Sequence, residues 1–594
     1  MCCGIAAAVC LAFSIAVGAT PSQASQNDGA FVIRNVRVFD GVKIIEADSV
    51  AVADGKIVAV GTNVTSLSDA QVIDGSGDTL LPGLIDSHVH AWLREVLETG
   101  LVMGVTTQLD MFMRWQQAEE WHQEGAKGAL DIADFRTAGT AIAVAGGHGM
   151  ASLPTMKPIR SADEAQAFVD ERIAQGSDYI KVIYNDAPWF AAMPEDVMVA
   201  IVKAAHRRGK LVVVHVYSAQ GILDVIDAGA DGLAHVPIVK LPEPAFRDAV
   251  KAHQPFAMTT LGYTDFFFGS QRLWSTLPED PLIAPYLAPL ARRSLERSGF
   301  NNREHISYAD NEAALRTLHA IGTPILAGTD AADLLPAGAL LHTELELMVK
   351  AGLTPSETLA DATSVPARIF SLRDRGRIAP GMRADLLLVR GDPTKDIQVT
   401  RDIVAIWKQG VRVDRESYRD AVAQKNEAWR FGAGWMPDTD SIFKGTSKVR
   451  LRVVDGGPDH ASSTMILACD VKPGIKYPFA GALYIPALSL RKSGPVDLSG
   501  SKDITFWSRG DGKTYSVAMF TKTEGARPVL RPFLSGKDWQ KHTIPISEFH
   551  TDGHDITLLS IVATEPGKYD FQLSGFRFEP AAATHLSRSG SKNP

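Results

Sequence analysis

"LLPGLIDSHVHAW", residues 80–92, is an apolar run that ends on two histidines, His88 and His90, with one residue between them. In an extended chain, residues i and i+2 point to one side. Both imidazoles therefore leave the strand end together. Two surface histidines on a loop would read the same way in isolation. Half of a metal site is the alternative, and the rest of the chain decides between them.

From about residue 84, short apolar runs alternate with helical patterns. After "LIDSH" come "TTQLDM", "FRTAGTAIA", "YIKVIY", "LVVVHV", "GLAHV", "PFAMTTL" and "PILAGTD". Eight β/α units in about 280 residues predict an α/β chain with a (β/α)8 barrel over residues 84–376. Local signals agree. Ser161 and Glu164 have capping-box spacing. Pro194 suits a first helical turn, and Gly209 a helix stop after "AAHRR". Residues 262–305 exceed what the last two units need and are expected to form a loop over the site.

The flanks have a different texture. "FVIRNVRVFDG" and "SVAVADGKIVAVG" before the barrel, and "GRIAPGMRADLLLVRGDP" after it, are β-rich. Residues 25–83 and 377–413 are expected to build one small composite β domain. A polar linker over 414–440 leads to a β-sandwich over 441–580, and 581–594 is expected to be a disordered tail. Residues 1–24 read as a signal peptide with a small-x-small site at Ser22-Gln23-Ala24, although no Lys or Arg precedes the apolar run. The run is too short for a stable membrane span, so a periplasmic or secreted mature chain is expected. Three of the four cysteines lie in that leader. Cys469 is left as a buried thiol with no disulfide partner in the same chain. A net charge of −8 and a pI near 6.1 argue against nucleic acid as a partner.

Placed on the barrel, His88 and His90 end the first strand and Lys181 lies in the fourth. His215 ends the fifth, His235 the sixth and Asp330 the eighth. All six meet at the C-terminal mouth, where this fold carries its active sites. Alone, His215 would be a satisfied core histidine and Asp330 a helix N-cap before "AADLLPAGALL". Lys181 resists such an account. An ammonium between Ile180 and Val182 would lose several kcal/mol of hydration, and histidines do not neutralise it. Lowering its pKa and reacting with carbon dioxide would give an anionic carbamate able to bridge two cations.

The six match the metal-ligand pattern of the amidohydrolase superfamily. "LPGLIDSHVH", "DYIKVI", "VVVHV", "GLAHVP", "LAGTDA", "ATSVPARIFSL" and "GRIAPGMRADLLLVRGDP" resemble its imidazolonepropionase-like branch, which includes Xaa-Pro and Xaa-Arg dipeptidases. The resemblance covers residues 31–413. It implies a binuclear site, zinc by preference. His88, His90 and Asp330 would hold one ion, and His215 and His235 the other. N6-carboxylysine at Lys181 and a hydroxide would bridge them. Asp330 would act as general base, then acid. Relatives with a single metal lack the bridging lysine. Many deaminases place a Glu soon after the fifth-strand histidine, and "HVYSAQG" has none. Both departures favour hydrolysis of amides or dipeptides. A cyclic-amide, lactone or organophosphate hydrolase with the same ions is the first alternative. A surface-binding protein with an inactive barrel is the second.

Candidate substrate contacts are His148 in "GGHGM", Tyr217, Tyr184 and Tyr263; His342 is placed on a helix packing face. The C-terminal segment resembles the family named for the complex I intermediate-associated protein, a galactose-binding-like jelly roll. The carrying stretches are "DSIFKGTSKV", "FAGALYIP", "DLSGSKDITFWSRGDGKTYSV" and "DWQKHTIPISEF". This implies a carbohydrate or protein partner, with Trp507 and Trp539 as a sugar platform or, at strand spacing, as core. Oligomerisation is left open.

Overall fold

The computed structural model describes residues 29–580 except 65–66, 69, 185–189, 270–271, 297–306, 333–334, 490–493 and 526. The expected signal peptide and C-terminal tail lie outside the described residues. The described chain falls into two compact units that part between Tyr418 and Arg419.

In the first unit, the two flanks of the chain pair directly. Strand Asp78–Pro82 runs antiparallel to Leu386–Arg390, with Leu81 opposite Leu387. They sit in a six-stranded sheet with Arg37–Phe39, Ile44–Ile45, Ile403–Lys408 and Val411–Arg412. A four-stranded sheet of Phe31–Arg34, Ser49–Ala53, Lys56–Gly61 and Gln71–Asp74 lies beside it. Val38, Val52, Leu80, Leu386 and Trp407 share the core between them, and Phe31 stacks on Trp407 at 5.2 Å.

Between the flanks run β1 (Leu84–His90), β2 (Val105–Asp110), β3 (Asp134–Thr137), β4 (Ile180–Ile183), β5 (Val212–His215), β6 (Gly232–Leu233), β7 (Phe256–Met258) and β8 (Ile325–Leu326). All pair in parallel. One sheet has the order β3-β2-β1 plus the short strand Ala331–Ala332, and the other runs β4 to β8. Backbone bonds join their edges. Ile142 N donates to Lys181 O (2.9 Å), and Ser87 N to Ala327 O (2.9 Å). Helices cover the layer, among them Glu195–Arg207, Ala219–Asp227, α1 (Leu261–Phe268) and α2 (Ala337–Lys350). Val182, Val214, Leu233 and Ala257 pack with Val197, Ile201, Val225 and Leu341 in the large cluster.

Several expectations need correction. The excess before β8 is helical as far as it is described, with α1, the 3-10 segment Leu273–Glu279 and helix Pro289–Leu295. Ser161 makes no side-chain cap, and Glu164 Oε2 accepts from Arg160 N rather than from Ser161 N. A complete capping box forms elsewhere, between Thr354 and Glu357. Pro194 is the N-cap of its helix rather than inside the first turn, while Gly209 stands at φ 64° past that helix, as a stop requires. The expected linker is not one: 414–440 carries helix Arg415–Phe431 and strand Trp435–Thr439.

The second unit holds two five-stranded antiparallel sheets. Their orders are 435–439, 480–484, 556–563, 513–521, 529–535 and 448–455, 463–471, 567–580, 501–510, 540–545. Met465, Leu467, Phe506 and Phe571 of one share a core with Tyr515, Leu559 and Ile561 of the other. Cys469 is buried there, and burial pushes its thiol up to about 12. Trp507 alternates with the buried Phe506 and Ser508 and is half-buried; Trp539 is half-buried too and carries the Arg509 guanidinium 4.9 Å from its ring. Neither tryptophan belongs to the core.

One charged group ties the composite sheets to the parallel layer. Asp134, at the start of β3, receives Arg375, Arg383 and Lys408, whose side chains are 5%, 14% and 1% exposed. Burial alone would raise its pKa, but the three cations hold it well below the usual carboxylate range. Lys408 Nζ also donates to the carbonyls of Ala129 and Ile132, each at 2.6 Å. Replacing Asp134 with Asn leaves three buried cations under-compensated. The expected loss is about 3–5 kcal/mol of stability in urea denaturation, and a loss below about 1 kcal/mol would contradict this role.

Candidate metal centre

Strand parity sets the first two imidazoles. His88 and His90 leave β1 on one face, and both turn their Nδ1 atoms away from the site. His88 Nδ1 donates to Ala234 O (2.8 Å) and His90 Nδ1 to Phe112 O (3.1 Å). A carbonyl only accepts, so Nδ1 carries a proton in both; His88 Nε2 then keeps its lone pair, while His90 Nε2 lies within hydrogen-bond reach of the Asp330 carboxylate. Both Nε2 atoms converge on Asp330 Oδ1, at 3.3 Å and 3.0 Å. One donor atom from each of the three residues lies within 4.8 Å of the others.

Asp330 reaches this point through an unusual backbone. It follows β8 at φ 55°, in the left-handed region, and its N–H donates to His88 O at 2.7 Å. Asp86, two residues before His88 and on the same face, fixes that turn. Its carboxylate accepts from Thr329 N, Thr329 Oγ1 and His88 N. Burial pushes Asp86 up to about 8 despite these bonds.

His215 and His235 end neighbouring strands and face each other, with Nδ1 of the first 2.8 Å from Nε2 of the second. The ring centroids of His88 and His235, and of His215 and His235, are 4.8 Å apart. Burial lowers the pKa of both His88 and His215, and holds His235 at about 3. His90 runs the other way, because its bond to Asp330 outweighs burial and raises it. Asp330 stays below the usual carboxylate value, since the His90 bond and nearby charges overcome its desolvation.

Lys181 lies one residue along β4 from the register partners Ile180 and Val212. It is 3% exposed, and Nζ finds no hydrogen-bond partner among the described residues. Burial brings its pKa down to about 7, only partly opposed by the charges of Asp330 and Asp110.

The structure brings two of the four substrate candidates to this cluster. The His148 ring is 5.2 Å and the Tyr217 ring 4.5 Å from that of His215, and His148 stacks on Phe190. Tyr184 is a correction. It sits three residues from Lys181, on the opposite face of the strand, and its hydroxyl donates to Asp224 Oδ2 on a covering helix (3.2 Å). Tyr263 lies on α1, its ring tilted against Phe267 at 4.7 Å. His342 is buried on α2, bonded to Thr400 Oγ1 and Met103 O.

Sequence reasoning missed the residues that brace the site. Asp110, at the end of β2, accepts from Ala91 N and Thr137 Oγ1, and burial raises it to about 6. Thr260 places Oγ1 3.0 Å from His235 Nδ1. Parity from His88 would have found Asp86; no local pattern marks Thr260.

The donor set suits divalent cations. The Asp330 contacts match the edges of a tetrahedron of N and O donors held about 2.0–2.1 Å from zinc. Besides Lys181 Nζ, the buried Nε2 atoms of His88 and His215 lack hydrogen-bond partners among the described residues, and metal ligation would employ such lone pairs.

The sequence profile of the Amidohydrolase family matches residues 79–413. An imidazolonepropionase of Deinococcus deserti is 34% identical over 151 residues, 22% of this chain and 38% of that relative. Another, from Paracoccus denitrificans, is 24% identical over 381 residues, 58% of this chain and 88% of the relative. A solved Xaa-Pro dipeptidase with bound methionine superposes with a TM-score of 0.53 at 21% identity, over 65% of this chain and 100% of that one. A putative prolidase from Bifidobacterium longum gives 0.52 at 22%, over 66% and 98%. At such identities the structures share a fold. With the profile spanning more than half of its length, the chain belongs to the amidohydrolase family and is a hydrolase of carbon–nitrogen bonds.

Proposed function

We propose that this chain hydrolyses small amides that carry an acyl group on an amino acid, dipeptides or N-acyl amino acids, at a pair of divalent metal ions, with zinc the preferred occupant. The observation that supports this most is the convergence of four imidazoles, one carboxylate and a buried lysine nitrogen that has no hydrogen-bond partner among the described residues. In this reading the parallel strands form a closed (β/α)8 barrel with the six residues at its mouth. A leader peptide takes the protein to the periplasm or outside the cell. The second unit is a galactose-binding-like jelly roll for a carbohydrate or protein partner.

His88, His90 and Asp330 would hold one ion, and His215 and His235 the other. Lys181, carboxylated on Nζ, would lie between them. An amine with a pKa near 7 is substantially unprotonated at neutral pH, so its lone pair can attack carbon dioxide. The new N–C bond forms, one proton leaves, and the side chain becomes an anion. When bound, the ions supply activated water and an electrophilic contact for the substrate carbonyl. Asp330 accepts the water proton during attack and delivers it to the leaving amine. Tyr217 and His148, beside His215, would donate hydrogen bonds to the substrate. Trp92 and Phe112, packed at 5.3 Å next to His90, limit water on the other side.

Lys181→Ala is expected to lower kcat/KM at least about 10³-fold, roughly 4 kcal/mol of transition-state stabilisation, and to cut zinc content below two per chain. Full activity in that variant would remove the bridging role. A panel of dipeptides, N-acyl amino acids, lactones and a phosphotriester separates the substrate classes. Faster turnover of the last two groups would overturn the amide assignment. Less than one zinc per chain with no turnover would mean a binding shell.

Protonation of the buried imidazoles should also weaken the metal-free protein. His88, His215 and His235 have folded pKa values below the ordinary 6.5, so below that pH the unfolded chain binds more protons than the folded one. Each contributes stability that is present above 6.5 and lost as pH falls toward its folded pKa, up to about 1.4 kcal/mol per pH unit. His90, with a raised pKa, opposes them, and so do the buried carboxyls of Asp86, Glu344 and Asp110, raised to about 8, 7 and 6, which take up protons in the folded chain first. The test is therefore residue-specific: imidazole NMR of chelator-treated protein is expected to show His88, His215 and His235 still neutral at pH 6, and protonation of any of them above that pH would contradict their neutral state.

A further inference from the structure

The geometry points to Glu344 as a positioning residue for the metal centre, acting through Thr260 on His235. This inference rests on the metal reading proposed above. Glu344 lies on α2 and is fully buried, and no cation pairs with it among the described residues. Its carboxylate instead accepts two backbone N–H groups at the start of α1, from Leu261 (2.8 Å) and Gly262 (2.7 Å). Free N–H groups and the helix dipole favour an anion there. A buried carboxylate is nevertheless a costly cap when an Asp or Ser at position 260 could have served. Position 260 has other work.

Thr260 is the residue before α1. It adopts φ 47° and ψ 32°, a left-handed conformation that a β-branched side chain disfavours. In that conformation its hydroxyl sits 3.0 Å from His235 Nδ1, and its N–H donates to Gly328 O at 3.1 Å. When His235 ligates through Nε2, Nδ1 carries the proton and donates to Thr260 Oγ1, which fixes the tautomer and the ring plane. The second bond ties the same residue to the 328–330 turn that carries Asp330. Glu344 clamps the backbone just after Thr260 and keeps this strained residue in place. A carboxylate on one helix thereby holds parts of both halves of the site.

The test compares zinc retention against a competing chelator for the full-length protein and the variants Glu344→Gln, Thr260→Ala, Thr260→Ser and the Glu344→Gln/Thr260→Ala pair, each checked for folding by circular dichroism. Glu344→Gln puts an amide donor against an N–H and is expected to weaken retention of the more weakly held zinc about tenfold or more. Thr260→Ala should match it, Thr260→Ser should restore most of the loss, and the double variant should be no worse than the worse single one. Glu344→Asp, too short to reach both N–H groups, serves in place of Gln should that variant fail to fold. A folded Glu344 variant with wild-type retention of two zinc ions overturns the inference and leaves the metal reading standing. So does a double variant whose losses multiply, since Glu344 would then not act through Thr260. Wild-type protein that retains fewer than two zinc ions overturns the metal reading, and this inference with it.

Discussion

A lysine nitrogen without a hydrogen-bond partner among the described residues, buried beside three imidazoles that burial keeps neutral, is the constraint on which the rest of the site depends. Hydration is lost at Lys181, and the charges of Asp330 and Asp110 restore only part of it. The imidazoles cannot help as bases without becoming cations beside another cation. Burial removes that option from His88, His215 and His235. A cluster so arranged has spare lone pairs and few protons, the complement of what a protein interior normally selects. Conversion of the lysine to an anion, with cations among the lone pairs, resolves both deficits together. For this reason the metal reading explains more than the presence of histidines.

The second constraint is backbone strain. Asp330 and Thr260 are both non-glycine residues in the left-handed region, each costing roughly 1 kcal/mol or more. They follow adjacent strands and are linked through Thr260 N and Gly328 O. Two buried carboxylates hold them. Asp86 bonds to Thr329 beside one, and Glu344 bonds to Leu261 and Gly262 beside the other. Burial pushes these acids up to about 8 and about 7. In each case the carboxylate caps backbone that would otherwise relax, and relaxation would turn a donor atom away from the cluster.

Much of this was legible because strands have period two. The parity of His88 and His90, the ammonium in "YIKVIY" and the acid in "LAGTD" all survive as local patterns, and the structure gathers them. Tyr184 shows the same rule misapplied, since three residues from Lys181 is the wrong parity. Helix Arg415–Phe431 was hidden by its charge, although the buried Tyr418 and Val422 are four residues apart, as neighbours on one helix face are. Ser161 and Glu164 had the spacing of a capping box, but neither half of it forms: the Ser161 side chain makes no cap, and the Glu164 carboxylate accepts from Arg160 N. Glu344 and Thr260 left no signal at all. Their roles depend on partners 84 residues apart in sequence, brought together only by packing.

Acids of one residue type thus take opposite electrostatic roles at the two ends of the parallel strands. Asp134 begins β3, where Arg375, Arg383 and Lys408 surround it and hold it ionised at any working pH. Asp110 ends β2, where hydroxyl and N–H donors replace cations and burial lifts it to about 6. The starting end therefore carries permanent charge whose pairing fastens the composite sheets to the parallel strands. The other end holds Asp110 and Lys181 at about 6 and about 7, where a small change in surroundings can protonate or deprotonate them. Interchanging the environments would fail twice. A fully paired acid in place of Asp110 would stay ionised, and an acid at position 134 without its ion pairs would leave Arg375 and Arg383 to Asp374 and Asp385 and Lys408 with no carboxylate partner among the described residues. Ion pairing thus sits at the start of the parallel strands and donor-bound acid at their end, and the charge environments of Asp134 and Asp110 give that division its physical content.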